Sequence, residues 1–266
     1  MPEHDPQLPL ARRHALVGGA SRGIGRATAH ALAAAGASCT LLARSEDALR
    51  EVAAELPTGR NQHHGILAVD QLDVADLAAR LGELASRTPV HVWVNNTGGP
   101  KGGPLAEADP EDLARAFRQH VLAAQVILRA VLPGMRAAGY GRIVNVVSTS
   151  VKAPIPGLGV SNTVRGAMAN WAKTLAGELA ADGITVNNVL PGFTDTDRLR
   201  EIIAARSRRA GNSEEAVADG MRAGVPAGRF ASAAETAAAI AFLAGPSAGY
   251  VNGVNLPVDG GRTPSL

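Results

Sequence analysis

Two groups of residues in this chain have the types and spacing to do chemistry. Gly18–Gly25 reads GGASRGIG, with Gly19, Gly23 and Gly25 set among Ser21, Arg22 and Ile24. A turn of this kind that opens into a helix brings free N–H groups and a partial positive charge up to a pyrophosphate. A purely structural turn is the plainer alternative. Arg44 stands at the end of the next apolar run. In a dinucleotide fold an acid there meets a free ribose 2′-hydroxyl, and an arginine accommodates a 2′-phosphate. Arg44, with Arg22 as a second arm, therefore favours NADP(H) over NAD(H); a solvated arginine at a helix start is the alternative.

Three other groups carry weaker signals. His120 and Ser161 have the types of a base and a nucleophile, but no acid orients the histidine, and packing is the plainer role for a mid-helix His. Lys152 lies in a Pro- and Gly-rich segment, where it meets either an anionic substrate or solvent. His63–His64 lacks companion ligands, which argues against a metal.

The elements that must position these residues alternate strictly. His14–Gly18, Ser38–Ala43, Gly65–Val69, His91–Asn95, Arg142–Val147, Thr185–Leu190 and Val254–Val258 are short, nearly continuous apolar runs. Such runs suit strands covered on both faces. Between them, helices are expected over Gly23–Ala35, Ser45–Leu56, Val74–Arg87, Glu111–Ala138, Asn162–Ala181 and Ala233–Leu243. This alternation with right-handed crossovers predicts an α/β fold, a Rossmann-like doubly wound parallel seven-stranded sheet in a single domain. The domain spans 13–262 after an N-terminal extension of residues 1–12. The Arg- and Ala-rich stretch Asp195–Val225 breaks the rhythm and reads as a mobile helical flap over the substrate, with Asp195 and Asp197 as its caps.

Composition narrows the function. A chain of 266 residues is long enough for one large core, and its net charge of +2 is too mild and too dispersed for a nucleic-acid or membrane partner. The lone Cys39 excludes an intrachain disulfide and fits a reducing compartment. The opening MPEHDPQLPLARR lacks a secretory h-region, and no run approaches a membrane span. A cytoplasmic protein acting on a small molecule is the expectation.

In order along the chain, GxxxGxG after the first strand, Asp70, Asn95–Gly98 (NNTG), Ser148 and Pro191–Thr196 (PGFTDT) resemble the short-chain dehydrogenase/reductase family. The tail from Val225 to Gly261 resembles its 3-oxoacyl-acyl-carrier-protein reductase branch. The resemblance implies that Asp70 meets the adenine edge. It places Asn96, Thr97 and Gly98 on the cofactor floor, and Pro191, Gly192 and Thr194 beside the nicotinamide amide. It also implies a dimer or tetramer joined through the two longest helices.

The departures from that pattern lie in the reaction centre. The family's catalytic Asn, Ser, Tyr and Lys fall on His120, Ser148, Ser161 and Arg165, so only Ser148 keeps its type. A serine hydroxyl is a far weaker acid than tyrosine, and guanidinium does not relay protons. Losing a positioned general acid costs about 10²–10⁴ in rate. The family also carries Thr where Gly18 stands, which ties the glycine loop to the next loop; Thr97 is expected to supply that tie from the other side. Three functions follow: NADP(H)-dependent carbonyl reduction of a 3-oxoacyl-like or other ketone with a substitute proton source, cofactor binding without redox activity, or non-redox oxyanion chemistry in the same pocket.

Overall fold

All seven apolar runs are strands of one sheet: β1 (His14–Gly18), β2 (Ser38–Ala43), β3 (Gly65–Ala68), β4 (Val92–Asn95), β5 (Gly141–Val146), β6 (Ile184–Pro191) and β7 (Asn255–Val258). The computed structural model describes residues 8–59 and 61–265, so most of the N-terminal extension, and with it the reading of the first residues as no signal, lies outside the described residues. Every neighbouring pair is parallel, in the order β3-β2-β1-β4-β5-β6-β7. The order reverses between β1 and β4, which opens a crevice at the carboxyl edge of the strands.

Helices cover both faces, as continuous apolar strands require. On one side α1 (Gly23–Ala34), α2 (Glu46–Glu55) and α9 (Ala233–Ala244) pack on Ala15, Val17, Leu41, Val94 and Val144. On the other, α3 (Val74–Arg87), α5 (Ala123–Ala138) and α6 (Gly159–Leu179) enclose Leu16, Trp93, Ile143 and Val186. Strand β5 begins one residue earlier than expected, at Gly141, which pairs with Ile184 of β6; a Cβ there would stand 2.8 Å from Ile184 and 2.9 Å from the Met135 sulfur.

Four asparagines cross this sheet in register. Asn95 Nδ2 donates to Asn145 Oδ1 at 2.9 Å, Asn145 Nδ2 to Asn188 Oδ1 at 3.0 Å, and Asn188 Nδ2 to Asn255 Oδ1 at 2.8 Å. Each pair is also a backbone register pair. Buried amides are thereby satisfied by one another across four strands.

The long helix expected over Glu111–Ala138 is divided. It comprises α4 (Pro110–Phe117), a wider π-helical turn over Arg118–Leu122, and α5. The turn brings His120 inside, where it is 3% exposed. Contrary to the sequence expectation, Pro110–Ala138 is long and apolar enough to cross a membrane. Its Ile127, Leu128, Val131 and Met135 are instead packed into the core of the sheet.

The 195–225 stretch contains α7 (Asp197–Ala210) and α8 (Glu214–Ala223), which share a small core of Leu199, Ile203, Ala218 and Met221. The expected acidic caps are not formed. Thr196 occupies the N-cap of α7 without a side-chain cap bond, and Asp195 and Asp197 bind Arg200 at 3.0 and 2.8 Å.

Candidate active site

The glycine loop joins the carboxyl end of β1 to α1. Gly19 and Gly23 adopt φ of +58° and +56°, and a Cβ on Gly25 would stand 2.1 Å from the Gly19 carbonyl oxygen. Backbone and helix start can approach this closely only with these residues bare. Arg22, the N-cap of α1, makes no side-chain cap bond, and the first turn holds no acid. The first turn of α1 thus brings no negative charge of its own to its free N–H groups, which suits an anion. Ile24 anchors the helix start on the core, while Ser21 is half-buried in the turn.

Asn96 ties this loop to the one after β4 by donating Nδ2 to the Gly18 carbonyl at 3.1 Å. Gly18 itself has no room for a side chain, since a Cβ would meet the Asn96 carbonyl oxygen at 2.7 Å. The expectation that Thr97 supplies the tie is therefore corrected. Its hydroxyl lies 2.6 Å from His120 Nδ1 instead. Gly98, the next residue, is exposed, and nothing lies within 4 Å of where its Cβ would be.

Arg44 is exposed directly after β2. Arg22, expected beside it, points elsewhere: its guanidinium pairs with Asp197 and Glu201 of the flap helix at 3.9 and 3.7 Å. Asp70, past the end of β3, accepts the Leu72 N–H at 3.0 Å. At the end of β6, Pro191 is followed by Gly192, where a Cβ would collide with Asp259 Cα at 2.6 Å, and by the buried Thr194.

Ser148 follows β5 and accepts the Ser150 N–H at 3.1 Å. Ser161 is half-buried on α6, and Arg165 lies one helical turn further on. Arg165 is 8% exposed and donates Nη1 to the Val146 carbonyl, the last of β5, at 2.9 Å. Burial brings its pKa down to about 10, so it remains a cation at neutral pH. Burial first, and the Arg165 charge second, push His120 down to about 2; the Gly98 carbonyl opposes both. His120 is therefore neutral, and its buried Nε2 has no hydrogen-bond partner. Among the described residues no hydrogen bond joins His120 to Ser161, so a nucleophile–base pair is not assembled.

The site thus gathers a bare glycine turn at a helix start, an open floor and a buried guanidinium at one sheet edge. The chain's residues fit a dinucleotide: the glycines admit close backbone approach, and the first turn of α1 carries no acid. Sequence reasoning missed the Thr97–His120 contact, the Val146 anchor and the acids that hold Arg22. Each depends on residues from separate loops meeting in space. Among the described residues, no group of three His, Cys, Asp or Glu side chains is placed to hold a metal.

Comparison with known proteins agrees with this geometry. A family model described as Enoyl-(Acyl carrier protein) reductase matches residues 19–263. The NADPH-dependent reductase BacG of Bacillus subtilis (strain 168) is 30% identical over 259 residues, covering 97% of this chain and 100% of BacG. The 3-oxoacyl-[acyl-carrier-protein] reductase FabG of Escherichia coli (strain K12) is 35% identical over 248 residues, 93% of this chain and 96% of FabG. The crystal structure of L-sorbose reductase from Gluconobacter frateurii, complexed with NADPH and L-sorbose, matches with a TM-score of 0.91 at 29% identity, covering 98% of this chain and 100% of that one. The chain belongs to the short-chain dehydrogenase/reductase family, in a branch like that of FabG.

Proposed function

We propose that this protein is an NADP(H)-dependent oxidoreductase that reduces a carbonyl of a small molecule, 3-oxoacyl-like or another ketone. The carrying observation is the glycine cradle, held open by Gly19, Gly23 and Gly25 and tied through Asn96 to the floor loop. Arg44 supports the phosphorylated cofactor, as do relatives named for NADPH. Asp70 takes the adenine edge, Asn96, Thr97 and Gly98 the floor, and Pro191, Gly192 and Thr194 the nicotinamide amide.

When bound, the reduced cofactor supplies a hydride to the carbonyl carbon. The chain's part is to hold the developing alkoxide oxygen and bring it a proton. Ser148 donates to that oxygen, and Arg165 supplies fixed positive charge near it. With Ser161 and Arg165 in the positions of the family's Tyr and Lys, a water held by Ser161 is the proton source. This is slower than a tyrosine by about 10²–10⁴. A cofactor-binding role without turnover is the second reading, favoured by the commitment of Arg165 Nη1 to a backbone carbonyl.

The working form is a dimer or tetramer in the cytoplasm. An apolar groove of about 680 Å³, lined by Leu113, Phe117, Leu122 and Val164 among others, supports an interface on the α4–α6 face. Titration with NADPH and NADH, followed by nicotinamide fluorescence, tests the proposal. NADPH binding in the micromolar range, tighter than NADH, is expected; binding of neither removes the oxidoreductase reading.

A further inference from the structure

Arg22 and Arg44 spring from neighbouring points on the carboxyl edge of the sheet. Strands β1 and β2 run in parallel as far as Gly18 and Leu42. The Ala20 N–H then donates to the Leu42 carbonyl at 3.3 Å, and each arginine follows two residues later. The two side chains are nevertheless held differently. Arg44 is exposed, and among the described residues no acid pairs with it. Arg22 reaches α7, where its Nη1 stands 3.9 Å from Asp197 Oδ2 and 3.7 Å from Glu201 Oε1.

The two acids are arranged so that Arg22 can leave without stranding them. Asp197 binds Arg200 through Oδ1 at 2.8 Å, and Glu201 binds Arg198 through Oε2 at 3.3 Å, so each offers Arg22 only its other oxygen. Both Arg22 contacts are longer than a hydrogen bond, and the three side chains are 63%, 52% and 51% exposed. Ion pairs of this kind are weak, because water and salt screen them. A phosphate offers a guanidinium shorter, charge-assisted hydrogen bonds and more than one negative charge. The rest of α7 also sits lightly on the cofactor edge. A Cβ on Gly23 would stand 3.2 Å from the Thr196 methyl, and Arg198 Nη2 donates to the Pro100 carbonyl at 3.3 Å. Its buried Leu199 and Ile203 pack with Ala218 and Met221 of α8, apart from the two cores of the sheet.

We propose that Arg22 has two alternative partners, the flap acids Asp197 and Glu201 and the 2′-phosphate of NADP(H), so that these acids set how strongly the phosphorylated cofactor is preferred. The inference rests on the NADP(H) reading and adds to it two positioning residues that act on cofactor choice through Arg22. Without the phosphate, Arg22 stays on α7 and ties the flap to the glycine turn. With it, Arg22 serves the ribose end together with Arg44, and that tie is given up. NAD(H), which carries a hydroxyl in place of the phosphate, leaves Arg22 on the flap. The competition is reciprocal: whatever the acids withhold from phosphate binding, the phosphate takes from flap attachment.

The test uses the whole protein and titrates NADPH and NADH into the wild type and into the double variant Asp197→Asn, Glu201→Gln, followed by nicotinamide fluorescence. Freed of its competitors, Arg22 is expected to tighten NADPH binding about two- to fivefold, the range of exposed ion pairs, with NADH binding unchanged. Glu201→Gln alone is expected to show part of the same gain, and it decides the matter should the double variant not fold. When Arg22→Gln is added, the acid substitutions are expected to lose most of their effect, which a purely structural role or a general field of the acids would not do. Unchanged or weaker NADPH binding in the acid variants, an equal gain for NADH, or a gain kept in full without Arg22 overturns the shared arginine. Failure of the wild type to bind NADPH would instead overturn the reductase reading, so the two failures are distinguishable.

Discussion

The hydroxyl of Thr97 lies 2.6 Å from Nδ1 of His120, joining the loop after β4 to the π-helical turn. His120 Nε2 is buried without a partner, so this contact and the Gly98 carbonyl are what hold the ring in place. Thr97→Val keeps the shape and removes the bond. It is expected to lower stability by about 1–3 kcal/mol, the cost of an unsatisfied buried polar group. Urea denaturation measures the loss, and Thr97→Ser should recover most of it.

The asparagine ladder makes a larger prediction. Asn145 is fully buried, donating to Asn188 and accepting from Asn95. Asn145→Ala strands both neighbours and opens a cavity, so a loss of about 2–5 kcal/mol is expected. A loss below about 1 kcal/mol by chemical denaturation would show that water replaces the missing amide.

Stability should also fall with acid through a site remote from the catalytic edge. His14 begins β1 and bonds Thr40 Oγ1 at 2.8 Å, while its backbone N–H is accepted by His91 Nδ1 at 3.1 Å. Burial, then the neighbouring His91 and His64, pulls His14 from 6.5 to about 4. Arg13 stands beside His91 and, with Arg142, against the Tyr140 ring, so protonation adds charge to a basic corner. The unfolded chain takes up this proton below about 6.5 and the folded one only below about 4. Stability is therefore full above pH 6.5 and falls as pH drops to 4, by about 3 kcal/mol for this group. His14→Gln should make the profile shallower in that window, leaving the part that His120 and His91 contribute.

Arg44 carries the choice of cofactor. Arg44→Asp removes the cation at the end of β2 and places an acid where a ribose 2′-hydroxyl would meet it. NADPH affinity should fall about tenfold or more, with NADH binding unchanged or tighter. Fluorescence titration with both cofactors measures this. Unchanged NADPH affinity would remove Arg44 from the cofactor site.

Restoring the family pair asks whether the pocket still performs its relatives' chemistry. Ser161→Tyr combined with Arg165→Lys should raise carbonyl reduction by about 10²–10⁴, the contribution of a positioned acid. Absence of any gain in a protein that folds and binds NADPH would mark a pocket turned to different chemistry.

The parts of this molecule legible in the sequence are those set locally. The seven strands announce themselves as apolar runs because both sheet faces are covered, and the glycine loop does so because its constraints act within eight residues. The π-helical turn gives no such sign: RQHVL has no proline or glycine, and the interruption coincides with the burial of His120. The acids around Thr196 misled because the expected capping geometry competed with Arg200 a turn away, and lost. Thr97 was legible as part of the floor loop but its partner was not, since His120 lies 23 residues further on across a separate element.

The amides of Asn95, Asn145, Asn188 and Asn255 also act as an alignment check on assembly. A parallel strand displaced by one residue turns its asparagine to the opposite face of the sheet. On β5 or β6 that slip breaks two side-chain bonds as well as the backbone pairing, because each of those strands is bonded on both sides. Apolar strands alone tolerate such slips, since hydrophobic contact has no direction. This sheet therefore carries its own proofreading, concentrated in the half that bears Ser148 and the Val146 anchor of Arg165.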